Sequence, residues 1–173
     1  MNSQSKARDR FVSEQVEARG VRDPLVLAAM RSVPREHFVP SDMKDHAYDD
    51  SPLPIGAKQT MSQPYIVAFM VEALALRGGE KVLEIGAGSG YAAAVLGEIA
   101  TSVYTIERIG QLAERAASNL AAAGCGNINI RHADGTEGWA EEAPFDAILV
   151  SAGAPDVPKS LMRQLKVGGR MVV

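Results

Sequence analysis

Three glycines at alternating positions give this chain its clearest chemical signal. Gly86, Gly88 and Gly90 follow the apolar run Val82–Ile85, and an alanine-rich segment begins at Tyr91. The apolar run predicts a buried strand, and the alanines predict a helix. Glycines at such a junction allow a sharp turn and let a ligand approach the N–H groups that begin the helix. The pattern therefore predicts a binding site for a nucleotide-like cofactor, although a tight connection without a ligand remains the alternative.

The spacing of these glycines narrows the choice of cofactor. The dinucleotide fingerprint Gly-x-Gly-x-x-Gly requires a glycine at position 91, where this chain has Tyr91. The stretch from Glu84 through Ser89 to Gly90 instead resembles the first motif of S-adenosylmethionine-dependent methyltransferases. Because a carboxylate at the end of a buried strand needs hydrogen-bond donors, we expect Glu84 to orient the glycine loop through backbone N–H groups.

Two further acidic residues follow later strands. Glu107 closes the apolar segment after the glycine loop, at the distance where an acid accepts hydrogen bonds from the hydroxyls of a ribose. Asp134 precedes Gly135, so its carboxylate could accept from an adenine amino group while the glycine permits close approach. A capping or solvated role for Glu107 and an ordinary Asp-Gly turn at 134–135 are the structural alternatives.

Ser62 has two possible roles. Because Pro64 is typical of a first helical turn, the hydroxyl of Ser62 could simply cap the helix. The functional alternative is a hydroxyl directed at substrate. No histidine stands nearby in sequence to activate it, which argues against nucleophilic serine chemistry.

These residues require a fold that brings the ends of several strands together. From position 81 the chain alternates between predicted strands (81–86, 102–107, 127–132, 145–151, 170–173) and predicted helices (91–99, 110–123, 158–165). Such alternation predicts a doubly wound α/β fold with a mostly parallel sheet, in which ligands bind beyond the carboxyl ends of the strands.

The N-terminal part is predicted to be different in character. It contains helices at 5–19, from Pro24 to before Pro34, and at 64–76, with an irregular functional loop at 35–56. We treat 1–79 as N-terminal helices with a substrate-side segment and 80–173 as the cofactor-binding core. The two are expected to form one integrated domain.

Composition limits the possible partners. The formal net charge of −3 over 173 residues predicts no polybasic surface for nucleic acid. One cysteine and three scattered histidines provide no metal-ligand spacing, so we predict no metal site. No apolar run approaches the roughly 20 residues of a membrane-spanning helix. These observations favour a cytoplasmic protein, and we predict a monomer.

Several segments together resemble the protein-L-isoaspartate (D-aspartate) O-methyltransferase family. They are the segments 48–56 and 59–68, the glycine loop, Asp134-Gly135 with Gly138-Trp139, and the segments 143–148 and 164–170. The stretch Thr60–Pro64 is more specific than the glycine loop, because many methyltransferases share that loop. The resemblance runs from about Arg8 to the last residue.

The resemblance implies methyl transfer from S-adenosylmethionine to the α-carboxylate of L-isoaspartyl, and less readily D-aspartyl, residues in damaged proteins and peptides. By position in the motifs, Ser62 would be the active-site serine, with Gln59 and Met61 on the substrate side. The positions that would contact the cofactor are Thr60, Glu84, Gly86, Gly88, Ser89, Gly90, Glu107, Arg108, Asp134 and Gly135.

The sequence also departs from the family pattern. Lys58 stands where members usually have glycine, and Met61 replaces a usual isoleucine, a mild change in volume. The chain stops at Val173, inside the expected fifth strand, so we expect C-terminal strands to be missing. Methylation of a small molecule or RNA, and a non-catalytic cofactor-binding fragment, remain the competing hypotheses.

Overall fold

The computed structural model describes residues 3–153 and 156–173. Seven strands and six α-helices are present there, in two regions that follow one another in sequence. The N-terminal region contains α1 (Ser3–Phe11), α2 (Pro24–Ser32), the strands β1 (Leu53–Gly56) and β2 (Gln59–Met61), and α3 (Pro64–Ala73). The C-terminal region contains β3 (Lys81–Ile85), α4 (Tyr91–Gly97), β4 (Ser102–Glu107), α5 (Gly110–Ala122), β5 (Ile128–His132), β6 (Phe145–Val150), α6 (Lys159–Gln164) and β7 (Leu165–Val172).

The five C-terminal strands form one parallel sheet in the order β5-β4-β3-β6-β7. The order reverses between β3 and β6, the topological switch point beyond which open α/β sheets bind ligands. Central strand β3 is buried along Val82–Ile85, as expected for a parallel strand covered on both faces. The predicted doubly wound fold is therefore confirmed.

The N-terminal region differs from its prediction in two places. The segment predicted as one helix over 5–19 is α1 followed by a π-helical turn (Val12–Val16) and a 3₁₀ turn (Glu17–Arg19), ending at Gly20 with φ of 109°. The segment predicted as irregular contains two 3₁₀ turns (Arg35–His37 and Ser41–His46) and strand β1, which pairs with β2 as an antiparallel hairpin. Gln59 and Thr60 are the first two residues of β2 in this hairpin.

The start of α2 follows its prediction closely. Asp23 is the N-cap, its carboxylate accepts from the N–H groups of Leu25 and Val26, and Pro24 occupies the first turn. Within the described ranges, no helix combines the length and apolar character needed to cross a membrane.

Candidate active site

A cleft of about 400 Å³ lies at the carboxyl edge of the sheet. It is lined from the core by Gly86 and Gly88, Glu107, Arg108 and Asp134-Gly135, and from the N-terminal region by Gln59, Thr60 and Ser62. Gly90 does not line it and packs instead against Leu120 of α5. This volume lies within the range of small-molecule and cofactor pockets. Residues far apart in sequence are therefore brought to one cavity, as the motifs predicted.

The glycine loop has the conformation that its sequence demands. Gly86, Gly88 and Gly90 have φ values of 94°, 55° and 90°, which side-chain-bearing residues adopt only with strain. The N–H groups of Gly86 and Ala87 bond to the carbonyl of Ile106, which fixes the loop against β4. Two of its glycines, Gly86 and Gly88, line the cleft.

Glu107 both bonds to the glycine loop and lines the cleft. Its carboxylate accepts from the backbone N–H of Gly88 at 2.9 Å and of Ile109 at 2.9 Å. Glu107 is 7% exposed and lines the cleft, so it shapes the glycine loop while remaining available to a ligand.

Glu84 does not act as expected. Its Oε2 accepts from the hydroxyl of Thr105 at 2.6 Å and from no loop N–H group, whereas the N–H of Gly88 bonds to Glu107. Burial raises the pKa of Glu84 to about 7, the Thr105 hydrogen bond opposes this, and the charge of Glu107 adds to it. Its Oε1 has no hydrogen-bond partner among the described residues.

Glu84 faces a second, smaller cavity of about 50 Å³ that adjoins the cleft. Ser62, Ser89 and Ser151 also line this cavity. The Oγ of Ser89, a residue 2% exposed, likewise has no partner in the described parts of the chain. Two buried polar atoms thus remain available to a polar ligand or to water.

Asp134 and Gly135 lie where the sequence predicted, after β5. One carboxylate oxygen of Asp134 accepts from the N–H and the hydroxyl of Thr136, and these bonds lower its pKa. A Cβ at Gly135 would lie 2.4 Å from Ile85 Cγ2, so only glycine fits there. Asp134 therefore forms the turn that was considered as the structural alternative, and it also lines the cleft.

The capping role considered for Ser62 is wrong. The N-cap of α3 is Gln63, which makes no side-chain capping bond, and Ser62 stands one residue earlier. Ser62 lines both cavities instead.

Sequence reasoning missed the loop that follows β6. Ser151, Ala152 and Gly153 line the cleft, and a Cβ at Gly86 would lie 3.0 Å from the Cβ of Ala152. The available signal was its place directly after a predicted strand, because ligands of such folds bind beyond the carboxyl ends of the strands. Residues 3–153 and 156–173 contain no group of His, Cys, Asp and Glu arranged to hold a metal ion.

Comparison with known proteins agrees with this geometry. The family model described as protein-L-isoaspartate(D-aspartate) O-methyltransferase matches residues 6–173. The chain belongs to this family. The resemblance stated from the motifs is confirmed, and with it an enzyme class that uses S-adenosylmethionine.

Individual relatives show how much of a family member the chain represents. It is 66% identical over 166 residues to protein-L-isoaspartate O-methyltransferase 1 of Rhodopseudomonas palustris strain HaA2, covering 96% of this chain and 68% of the relative. A solved protein-L-isoaspartate O-methyltransferase has a TM-score of 0.88 at 32% identity, covering 96% of this chain and 54% of the other. The chain thus spans about half of that solved protein.

A second solved structure supports the fold. It is a putative protein-L-isoaspartate O-methyltransferase from Plasmodium falciparum in complex with S-adenosyl-L-homocysteine, with a TM-score of 0.82 and 23% identity. The match covers 100% of this chain and 84% of the other. The shared fold therefore includes both sequence regions.

Proposed function

We propose that this chain transfers a methyl group from S-adenosylmethionine to the α-carboxylate of L-isoaspartyl, and less readily D-aspartyl, residues in damaged proteins. The observation that carries the proposal is the shared cleft. Thr60 and Ser62, from the segment most specific to the family, line the same cavity as the glycine loop and Glu107. Donor-side and acceptor-side residues are therefore adjacent.

The cavity suits the proposed cofactor. Gly86 and Gly88 leave the backbone open to it, and the buried Glu107 carboxylate suits ribose hydroxyls. Asp134 lies nearby with one oxygen not engaged by Thr136. When bound, S-adenosylmethionine supplies an electrophilic methyl group on a sulfonium. We assign Gly86, Gly88, Ser89, Gly90, Arg108, Gly135, Thr60 and Glu84 to the surroundings of the cofactor.

The acceptor requires little chemical activation. A carboxylate is already ionised at neutral pH, so the protein needs no strong base to create the nucleophile. What remains is to hold the carboxylate in line with the methyl group and to exclude water. We assign Ser62 to donate a hydrogen bond that orients the carboxylate, with Gln59 and Met61 beside it.

The test compares two peptides that differ at one residue. An isoaspartyl peptide and its aspartyl twin are incubated with the chain and methyl-labelled S-adenosylmethionine, and label released as a base-labile ester is counted. We expect methylation of the isoaspartyl peptide only. Equal methylation of both peptides would contradict the repair function. Cofactor binding without transfer would favour a binding module. In a parallel reaction with RNA in place of peptide, methylation of the RNA would favour the nucleic-acid alternative.

The same proposal includes the finer statements about partners and location. The formal net charge of −3 supports a protein substrate over nucleic acid, because phosphate binding depends on clustered cations. We propose a cytoplasmic monomer. Light scattering on the purified chain, with and without substrate peptide, checks the monomer.

A further inference from the structure

Arg35 is a cation enclosed by the protein without an acidic partner. It is 0% exposed, and none of the ion pairs formed by the described residues involves it. Burial lowers its pKa below the ordinary value of an arginine. Removing a guanidinium from water costs several kcal/mol unless hydrogen bonds replace the lost hydration. Its contacts should therefore reveal why it is there.

Two of those contacts are main-chain carbonyls from different segments. Arg35 Nε donates to the carbonyl of Ala47 at 2.8 Å, and Nη2 donates to the carbonyl of Ser62 at 2.9 Å. The second carbonyl belongs to the residue we assign to the acceptor carboxylate. A charge-assisted bond to that oxygen fixes the peptide plane at Ser62, and with it the direction in which the side chain leaves the backbone.

The third contact is with the helix that follows the glycine loop. The guanidinium carbon lies 4.7 Å from the ring centroid of Tyr91, a cation–π distance. Tyr91 is 1% exposed and directly follows Gly90, and Phe38 packs edge-on against its ring at 5.7 Å. One side chain thus touches the segment carrying Ser62 and the first residue of α4.

We propose that Arg35 is a positioning residue for methyl transfer, which holds Ser62 at a fixed place relative to the glycine loop. The identity of the reaction rests on the proposed function. The claim that Arg35 holds the Ser62 segment in place rests only on the contacts of Arg35. A planar guanidinium suits this task because its donors have a fixed geometry and can bond two carbonyls while the face of the group stacks on an aromatic ring.

The alternative is that Arg35 only fills space and stabilises the N-terminal region. Three full-chain variants separate the two possibilities. Arg35→Met keeps the length and apolar stem but removes every donor, and Arg35→Lys keeps a cation able to bond a carbonyl. Val16→Ala is the matched control, because Val16 is fully buried in the same region and has no assigned role in the site.

The measurements are kcat and KM for the isoaspartyl peptide, the Kd for S-adenosylmethionine by calorimetry, and amide hydrogen exchange over 59–67. We expect Arg35→Met to lower kcat by on the order of 10–100-fold, because small misplacements of reacting groups have effects of this size. Its Kd should match the wild type, exchange over 59–67 should increase, and Arg35→Lys should recover part of kcat. Val16→Ala should lower the melting temperature with wild-type kcat and Kd, and any faster exchange in it should extend over both regions instead of being confined to 59–67.

Wild-type kcat and wild-type exchange in Arg35→Met would overturn the proposal, as would an equal fall of kcat in Val16→Ala. If Arg35→Met does not fold, Arg35→Lys takes its place, and unchanged kcat and exchange in that variant count against the role. If the wild-type chain methylates nothing, the proposed function fails. The exchange comparison still decides whether Arg35 holds the Ser62 segment.

Discussion

Glu107 illustrates how one carboxylate can shape a site and also serve a ligand. It accepts N–H groups from Gly88 and Ile109 and lines the cleft. We expect Glu107→Ala to weaken S-adenosylmethionine binding by on the order of 1–3 kcal/mol, because charge-assisted hydrogen bonds are lost. Calorimetry measures this, with the exposed Glu98→Ala as the control that keeps wild-type affinity. Unchanged affinity in Glu107→Ala would contradict the ribose assignment.

Ser62 offers a test of the acceptor side. Since its hydroxyl does not cap α3, removing it should leave the helix intact and slow methylation. We expect Ser62→Ala to lower kcat/KM for the isoaspartyl peptide by an amount that corresponds to about 1.5–3 kcal/mol of lost transition-state stabilisation. This is the size of a hydrogen bond to a charged group. Initial rates and a melting curve check this, with Ser118→Ala as the control. A lower melting temperature with unchanged kinetics would count against the assignment.

Glu84 should make stability depend on pH. Its pKa rises from 4.5 to about 7 on folding because of burial. Between these pH values the folded protein holds a proton that the unfolded chain has released, so the contribution of this group to stability is lost as pH rises through the window. Glu84→Gln should therefore be more stable than wild type by up to about 3 kcal/mol at pH 8 and equal to it at pH 4.5.

Urea denaturation at the two pH values measures this difference. Glutamine keeps an oxygen that can accept from the Thr105 hydroxyl, so the existing hydrogen bond is retained. Glu114→Gln on the exposed face of α5 is the matched control, and its difference in stability from wild type should be the same at both pH values. A Glu84→Gln variant with wild-type stability at pH 8 would show that Glu84 is already solvated or compensated in the folded state.

At the scale of elements, the β1–β2 hairpin was not predicted from the sequence. Its two central turn residues, Ala57 and Lys58, have φ values of 49° and 57°. Such hairpin turns normally contain Asn-Gly or Asp-Gly, and that signal is absent here. The turn forms because pairing of Leu53 with Met61 buries both side chains, and because Arg115 on α5 donates to the carbonyl of Ile55 at 2.6 Å.

Strain in this turn can be measured. We expect Lys58→Gly to raise the free energy of unfolding by about 1 kcal/mol, because glycine adopts a positive φ without the steric cost of a side chain. The gain is smaller than the full strain, since glycine also adds freedom to the unfolded chain. Lys58→Ala, which removes the charge and keeps the Cβ, should leave the free energy of unfolding unchanged. Equal stability of the two variants would show that the turn carries no strain at position 58.

Regular elements were predictable where local signals and the fold agree. Apolar runs, and glycines at the ends of elements, predicted β3 to β6 and the helices between them to within a few residues. The last strand is longer than predicted, Leu165–Val172 instead of 170–173, because Leu165 already pairs with Phe145 of β6. The register then shifts over 166–169, and regular pairing resumes at Arg170. Such pairing depends on the neighbouring strand, which a local pattern does not include.

At the scale of the whole molecule, the residues that organise the site come from both sequence regions. Motifs identified the glycine loop, Glu107 and Ser62, since each has a local pattern. Arg35 has none, because its role depends on Ala47, Ser62 and Tyr91 converging in space. The proposed role of Arg35 can therefore be recognised only from the folded structure, in which these partners lie together.

The hydrophobic core crosses the boundary that the sequence suggested near residue 80. One cluster of buried side chains extends from Phe11 and Val16 in the N-terminal region to Tyr91, Val103 and Leu149 in the core. Unfolding one region would therefore expose the apolar surface of the other. We predict that both regions unfold together as one cooperative unit.

Val16→Ala tests this cooperativity. Removing two methyl groups from a fully buried position should cost about 2 kcal/mol and lower the melting temperature by roughly 4–8 °C. Trp139, the only tryptophan, packs against a second buried cluster, around Leu83, Ile106 and Phe145, which lies within the C-terminal sheet. Its fluorescence therefore reports on the core, whereas far-UV circular dichroism reports on all helices and strands.

If the two regions are one unit, the variant shifts both transitions by the same amount, although Val16 belongs to the other cluster. Leu25→Ala, at a side chain 42% exposed, is the control that should move neither transition appreciably. A shift of the circular dichroism transition with an unmoved fluorescence transition would mean that the N-terminal region melts on its own. In that case the Ser62 segment could detach while the cofactor loop stays folded, and methyl transfer would be lost on heating before cofactor binding.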